Sequence, residues 1–207
     1  MHDNGYVSGL EWAVAGVAHP GEDQSGDQWV VVDDPSRVLF AVIDGLGHGA
    51  PAAAAAYRAA EVVGHHPAEP LHVLFALCHD ALGHTRGVAM TLVSVHVEQQ
   101  RMDWLGVGNV NAFVVRAAPA RPRTVGGAIL RSGIVGHVLP SRLRPSRMAI
   151  QTGDLLLVGT DGLAAGFAER PNLSAPATQI ATDILSRYAK GADDGLALAV
   201  RYRGGHK

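Results

Sequence analysis

Asp44 and Asp161 each close an apolar, strand-like run and each precede a glycine, in VLFAVIDGLGHG (38–49) and LLLVGTDGL (155–163). A carboxylate at the mouth of a buried strand, with glycines that let backbone carbonyls come close, suits a hard cation bound by oxygen. Further acidic positions border other strand-like runs: Asp27 in SGDQW and Asp193-Asp194 in ADDGLALAV. One Asp-Gly alone is explained by turn chemistry; two, each directly after a buried-looking strand, ask for more. Held unpaired in one cleft, these carboxylates would repel one another and take up protons. Divalent cations relieve that conflict. With no histidine–cysteine cluster nearby, oxygen ligands favour magnesium or manganese over zinc. Two such ions about 3.5–4 Å apart can bind a phosphate and acidify a water, chemistry that needs no nucleophilic side chain. The chain has no GxSxG elbow and no Walker sequence.

The elements that must position these groups follow from pattern. Strands are expected over 11–18 and 28–32, with Asp33-Asp34-Pro35-Ser36 as a hairpin turn before the strand that ends at Asp44. A helix should begin near Ala50, with Pro51 in its first turn, where a missing N–H costs nothing, and end at Gly64-His65-His66-Pro67. A second helix is expected over 70–82, with Leu71, Leu74, Phe75, Cys78 and Leu82 at helical spacing. The middle of the chain reads as β: 89–97, 101–107 and 111–116, then weaker candidates at 130–138 and 148–150, and a strong strand over 155–159. The 117–123 stretch reads as an exposed loop, and the glycines of GVGN and VGGA read as turns. Ser174 is expected to cap a last helix over 175–188, with Ile180, Ile184 and Leu185 inward. A strand over 196–202 closes the chain. Strands mostly adjacent in sequence, with few helices between them, predict an α+β fold with antiparallel sheets.

At 207 residues the chain is expected to be one domain spanning 1–207, large enough for a substantial core. A net charge of -2 supplies no basic field for nucleic acid. The single cysteine, Cys78, falls among apolar helical residues and reads as core. It fits a reducing, cytoplasmic setting, as does an N-terminus without a basic start and apolar stretch. No run is long and apolar enough to span a membrane. The histidines at 65, 66 and 84 read as exposed helix ends.

The ordered set SGD, VIDGLGHG, VGTDGL and ADDGLAL resembles the PPM (type 2C) family of metal-dependent protein serine/threonine phosphatases, in its bacterial SpoIIE-like branch. WLGVGNVNAFVVR resembles the family's central strand–turn–strand. The resemblance implies a four-layer αββα sandwich of two antiparallel sheets, with two divalent cations, Mn2+ or Mg2+, at one end. By position, Asp44 would bridge both ions with the Gly45 carbonyl beside it. Asp27 would hold the second ion, and Asp161 and Asp193 the first. Asp193 is preferred to Asp194, and Glu22 or Asp23 stands as the alternative to Asp27.

Two departures are plain. Where many relatives carry a histidine after the Asp-Gly, this chain has Leu46, so His48 becomes the candidate proton donor to the leaving oxygen. No basic residue holds the expected upstream position for the substrate phosphate, and His19 is nearest to it. A bare catalytic domain with DGLGHG resembles the small phosphatases of the stressosome. That implies hydrolysis, by metal-activated water, of phosphoserine or phosphothreonine on STAS-domain scaffold proteins. The alternatives are a soluble anti-sigma-factor antagonist as substrate, a hydrolase of small phosphate esters, and a pseudophosphatase that only binds.

Overall fold

The structure, a computed structural model, describes residues 1–118 and 122–204. In chain order the elements are β1 (His2–Val7), β2 (Leu10–Val17), β3 (Asp27–Asp34), β4 (Arg37–Gly45), α1 (Ala50–His65), α2 (Leu71–Ala81), β5 (Val88–His96), β6 (Arg101–Val107), β7 (Asn111–Arg116), β8 (Arg123–Gly127), β9 (Leu130–Arg131), β10 (Ser146–Ala149), β11 (Leu155–Gly159), α3 (Ala177–Tyr188) and β12 (Gly195–Tyr202). One sheet runs β1-β2-β12-β11-β7-β8 and the other β10-β6-β5-β4-β3. Pairing is antiparallel except for short β9, which lies parallel to β6. α1 and α2 cover the second sheet and α3 the first, giving the expected αββα order of layers.

β4 shows why its sequence is an unbroken apolar run. It is central in its sheet, between β3 and β5, and both its faces are covered. Val38, Phe40 and Val42 point between the two sheets, where they meet Val14, Val93, Trp104 and Leu198. Leu39, Ala41 and Ile43 point the other way, onto Ala55, Ala59 and Phe75 of the helices. A strand buried on both faces loses the polar alternation of a half-exposed one. Facing it, α1 packs through Ala52, Ala55, Ala56 and Ala59, small side chains that let the helix lie close to the sheet.

Most strands fall within a residue or two of expectation, and 101–107, 111–116 and 155–159 coincide with β6, β7 and β11. Several features differ. β1 was not expected; it is an exposed edge hairpin arm with few apolar residues. Asp33 and Asp34 belong to the end of β3, and only Pro35-Ser36 form the turn. Val125, Gly126 and Gly127 lie in edge strand β8 rather than in a turn, and Met148 packs over Gly126, where a Cβ would lie 2.9 Å from its Sδ. Of the 130–138 candidate only Leu130–Arg131 pairs as a strand. Residues 119–121 of the expected loop lie outside the described residues. Ser174 does not cap α3: Pro176 holds the cap position, and Glu11 Oε1, from distant β2, accepts the Ala177 N–H at 2.8 Å. Cys78 is buried in the helix-facing core, as expected. Among the described residues no helix is long and apolar enough to cross a membrane.

Phe40 is fully buried between the sheets, so Phe40→Ala should lower the unfolding free energy by about 3–5 kcal/mol, measured by denaturant titration.

Candidate metal centre

Strand parity decides which acidic groups can meet. Along β4 the inter-sheet face carries Val38, Phe40 and Val42, so the next residue of that set is Asp44. In β3, Trp29 and Val31 pack on the same core, which places Asp27 on the same face. Asp27 and Asp44 are direct partners in the β3–β4 register. In the opposite sheet, Leu156 and Val158 of β11 lead to Thr160, and Leu196 and Leu198 of β12 lead back to Asp194. These strand ends therefore aim polar side chains into one mouth between the sheets. Asp161 and Asp193 stand one residue along on each connection.

Hydrogen bonds lock the group. Thr160 Oγ1 donates to Asp27 Oδ2 at 2.8 Å and accepts from Leu196 N at 2.9 Å. Ser25 Oγ accepts the Asp27 N–H at 3.1 Å. Asn109 Nδ2 donates to Asp161 Oδ2 at 2.6 Å, and the Lys190 ammonium donates to the Asp161 carbonyl. Asp194 Oδ1 accepts from His19 N, and Asp193 Oδ1 from Asp194 N, both at 2.9 Å. The glycines after Asp44 and Asp161 are steric necessities. A Cβ on Gly45 would lie 2.2 Å from the Ala52 carbonyl oxygen, and one on Gly162 would lie 1.7 Å from that of Asp194.

The electrostatics record the crowding. Burial foremost, then the carboxylates of Asp161 and Asp193, push the Asp44 carboxyl up to about 7. Asp27, 1% exposed, is raised well above the usual carboxylate range by burial and by Asp44, against the pull of the Thr160 hydroxyl. Asp194 Oδ2 is buried without a hydrogen-bond partner among the described residues. An all-oxygen, anionic donor set with an orphaned carboxylate oxygen fits hard divalent cations.

The structure thus brings Asp27, Asp44, Gly45, Asp161 and Asp193 to one place, with Asp194 as the more deeply buried of the final pair. Asp33 and Asp34 lie at the far end of β3, bonded to Ser8 and Ser36. Glu22 is engaged by His48: its Oε1 lies 2.9 Å from His48 Nδ1. The His48 ring stacks on His19 at 4.2 Å, and His19 Nδ1 bonds the Pro20 carbonyl at 2.9 Å. Ligand atoms of His19, Glu22 and His48 lie within 4.8 Å of one another, a rim cluster beside the acidic mouth. Thr160 and Asn109 were not anticipated. Asn109 lies in a turn whose likeness to the family's central turn marked it; Thr160 carried no signal of its own.

Two mostly antiparallel sheets faced by helices, with carboxylates gathered at one end between them, define the class of PP2C-type (PPM) protein serine/threonine phosphatases. The sequence profile of Stage II sporulation protein E (SpoIIE) matches residues 34–203, and the chain belongs to that SpoIIE family. It is similar to the phosphoserine phosphatase RsbX of Bacillus subtilis (strain 168), 24% identical over 145 residues, 69% of each chain. A structure from work on the bacterial stressosome as a modular system controlling secondary messenger signalling superposes with a TM-score of 0.82. It is 29% identical and covers 93% of this chain and 99% of its own. A crystal structure of RsbX in complex with magnesium gives a TM-score of 0.82 at 19% identity, covering 97% and 99%.

Without cations the raised carboxyls make stability depend on pH. Unfolding returns Asp44 and Asp27 to ordinary carboxylate values, so between about pH 4 and 7 the folded chain binds more protons than the unfolded chain. Their contribution is present at low pH and is lost as pH rises through the folded values. In chelator, the chain should melt higher at about pH 5.5 than at about pH 8. Asp44→Asn should melt above wild type at the higher pH, because it removes one repelling charge. Differential scanning calorimetry checks both; a wild-type melting temperature that climbs toward pH 8 contradicts them.

Proposed function

We propose that this phosphatase removes phosphate from serine or threonine of STAS-domain proteins in a bacterial stress-signalling pathway of the stressosome type. The observation that carries the reading is the convergence of Asp27, Asp44, Asp161 and Asp193 at the sandwich mouth. The similarity to RsbX and to the stressosome-associated structure supports the substrate class. The filled acidic positions weigh against a module that only binds.

In this reading two divalent cations, magnesium or manganese, are held by Asp27, Asp44, Asp161 and Asp193 with the Gly45 carbonyl. When bound, they neutralise phosphate charge and acidify water. The chain's own residues do the positioning. Thr160 holds Asp27 Oδ2 in one orientation, and Asn109 does so for Asp161 Oδ2. Hydrolysis joins a water oxygen to phosphorus, breaks the bond to the seryl or threonyl oxygen, and returns a proton to that oxygen. His48, oriented by Glu22 through Nδ1, has Nε2 to carry that proton.

The test is phosphate release from a Ser/Thr-phosphorylated STAS-domain scaffold protein, and from a soluble anti-sigma-factor antagonist, with manganese, magnesium or chelator. Release should require the cation and be abolished by Asp44→Asn. Equal release in chelator would refute the metal assignment. His48→Gln should lower kcat on phosphoserine by about 100-fold, yet spare p-nitrophenyl phosphate, whose leaving group needs no proton.

A further inference from the structure

We propose that Arg86 is the phosphate-holding residue of this site, delivered from the turn before β5 rather than from the segment upstream of Asp27. The inference rests on the phosphatase reading above and names the group that secures its substrate. A guanidinium at a mouth lined by aspartates offers a phosphate dianion charge-assisted donors that the carboxylates cannot. The upstream segment supplies none. His19 has its Nδ1 on the Pro20 carbonyl and its backbone N–H on Asp194, and Glu22 stands beside it.

Arg86 stands over the turn that follows Asp44 because its backbone is tied to that turn. Thr85 N donates to the Leu82 carbonyl at 2.9 Å, and Gly87 N to Thr85 Oγ1 at 3.0 Å. The Gly87 carbonyl accepts from Leu46 N at 3.1 Å, tying the two turns together. From there β5 pairs with β4, Val88 opposite Gly45 and Ala89 opposite Asp44. The side chain folds back over that turn: a Cβ on Gly47, whose φ is +84°, would lie 2.6 Å from Arg86 Nη1. Gly47 therefore leaves open the space that the guanidinium fills.

The guanidinium is also uncommitted. Arg116 pairs with Asp154, Arg147 with Asp103 and Arg203 with Glu11. Arg37 and Arg201 donate to backbone carbonyls in the core's margins. Lys190, a further cation near the mouth, is spent on the Asp161 carbonyl. Arg86 is exposed and has no ion-pair partner among the described residues. A planar fork of donors suits two oxygens of one phosphate, which an ammonium cannot match.

The experiment compares wild type, Arg86→Ala and Arg86→Lys, loaded with manganese. It measures turnover of p-nitrophenyl phosphate, inhibition by inorganic phosphate, and calorimetric binding of inorganic phosphate and of manganese. Arg86→Ala should raise KM, and the inhibition and dissociation constants for phosphate, by about 10- to 100-fold. It should change kcat far less, and leave manganese affinity and melting temperature unchanged. Arg86→Lys should fall between the two. Unchanged phosphate affinity in Arg86→Ala overturns the assignment, as does a loss of manganese affinity that accounts for the rise in KM. If wild type hydrolyses no phosphoester at all, the phosphatase reading falls and takes this proposal with it, an outcome distinct from failure in the variant alone.

Discussion

Repulsion among carboxylates confined to one mouth is the constraint on which the rest of this structure depends. Asp27 and Asp44 of one sheet and Asp194, just ahead of β12 in the other, are drawn into one opening, with Asp161 and Asp193 beside them. Bare, that grouping opposes folding, since each charge loses water and meets like charge. It persists because the strands that carry it are anchored elsewhere. Three apolar layers, one between the sheets and one under each set of helices, hold β3, β4, β11 and β12 along their lengths. The destabilised end is then the end that cations can satisfy, the usual trade of stability for function at a working site.

Anchoring alone would not aim the carboxylates. Aim comes from strand parity and from a second layer of polar contacts. Each acidic strand end continues an inter-sheet row of apolar side chains, so the face that builds the core also builds the site. Thr160 then joins the two sheets by bridging Asp27 and the Leu196 N–H. Asn109 adds a contact from the β6–β7 turn to Asp161. Because one hydroxyl serves both sheets, a shift of either sheet would move an acidic ligand position, which couples sandwich packing to site geometry.

The rim is built differently. His19 and Glu22 come from the β2–β3 connection, His48 from the turn after β4, and Arg86 from the turn before β5. None of these lies on a strand; His48 and Arg86 are exposed, and His19 is half-buried. The acidic floor beneath them is instead held in place by the Thr160 and Asn109 side chains. In the functional reading proposed here, chemistry is assigned to the floor, and substrate handling to the rim.

Much was legible in the sequence because it depends on local pattern. The double-faced apolar run of β4, the alanine-rich helix behind Pro51, and each aspartate at a strand end followed by glycine are short-range signals. They specify that acidic groups stand at strand mouths. The tertiary structure alone decided what those groups meet. Glu11 caps α3 although it lies in β2, Asn109 finds Asp161, and Arg86 lies over Gly47; each pair is joined by chain reversal through a sheet rather than by spacing. The edge strands β1 and β8 were equally hidden, since pairing with a neighbour forms them, and their own residues show little apolar alternation. Periodicity records which face a residue takes. The partner across a cleft is set by how two sheets stack, and no single segment encodes that.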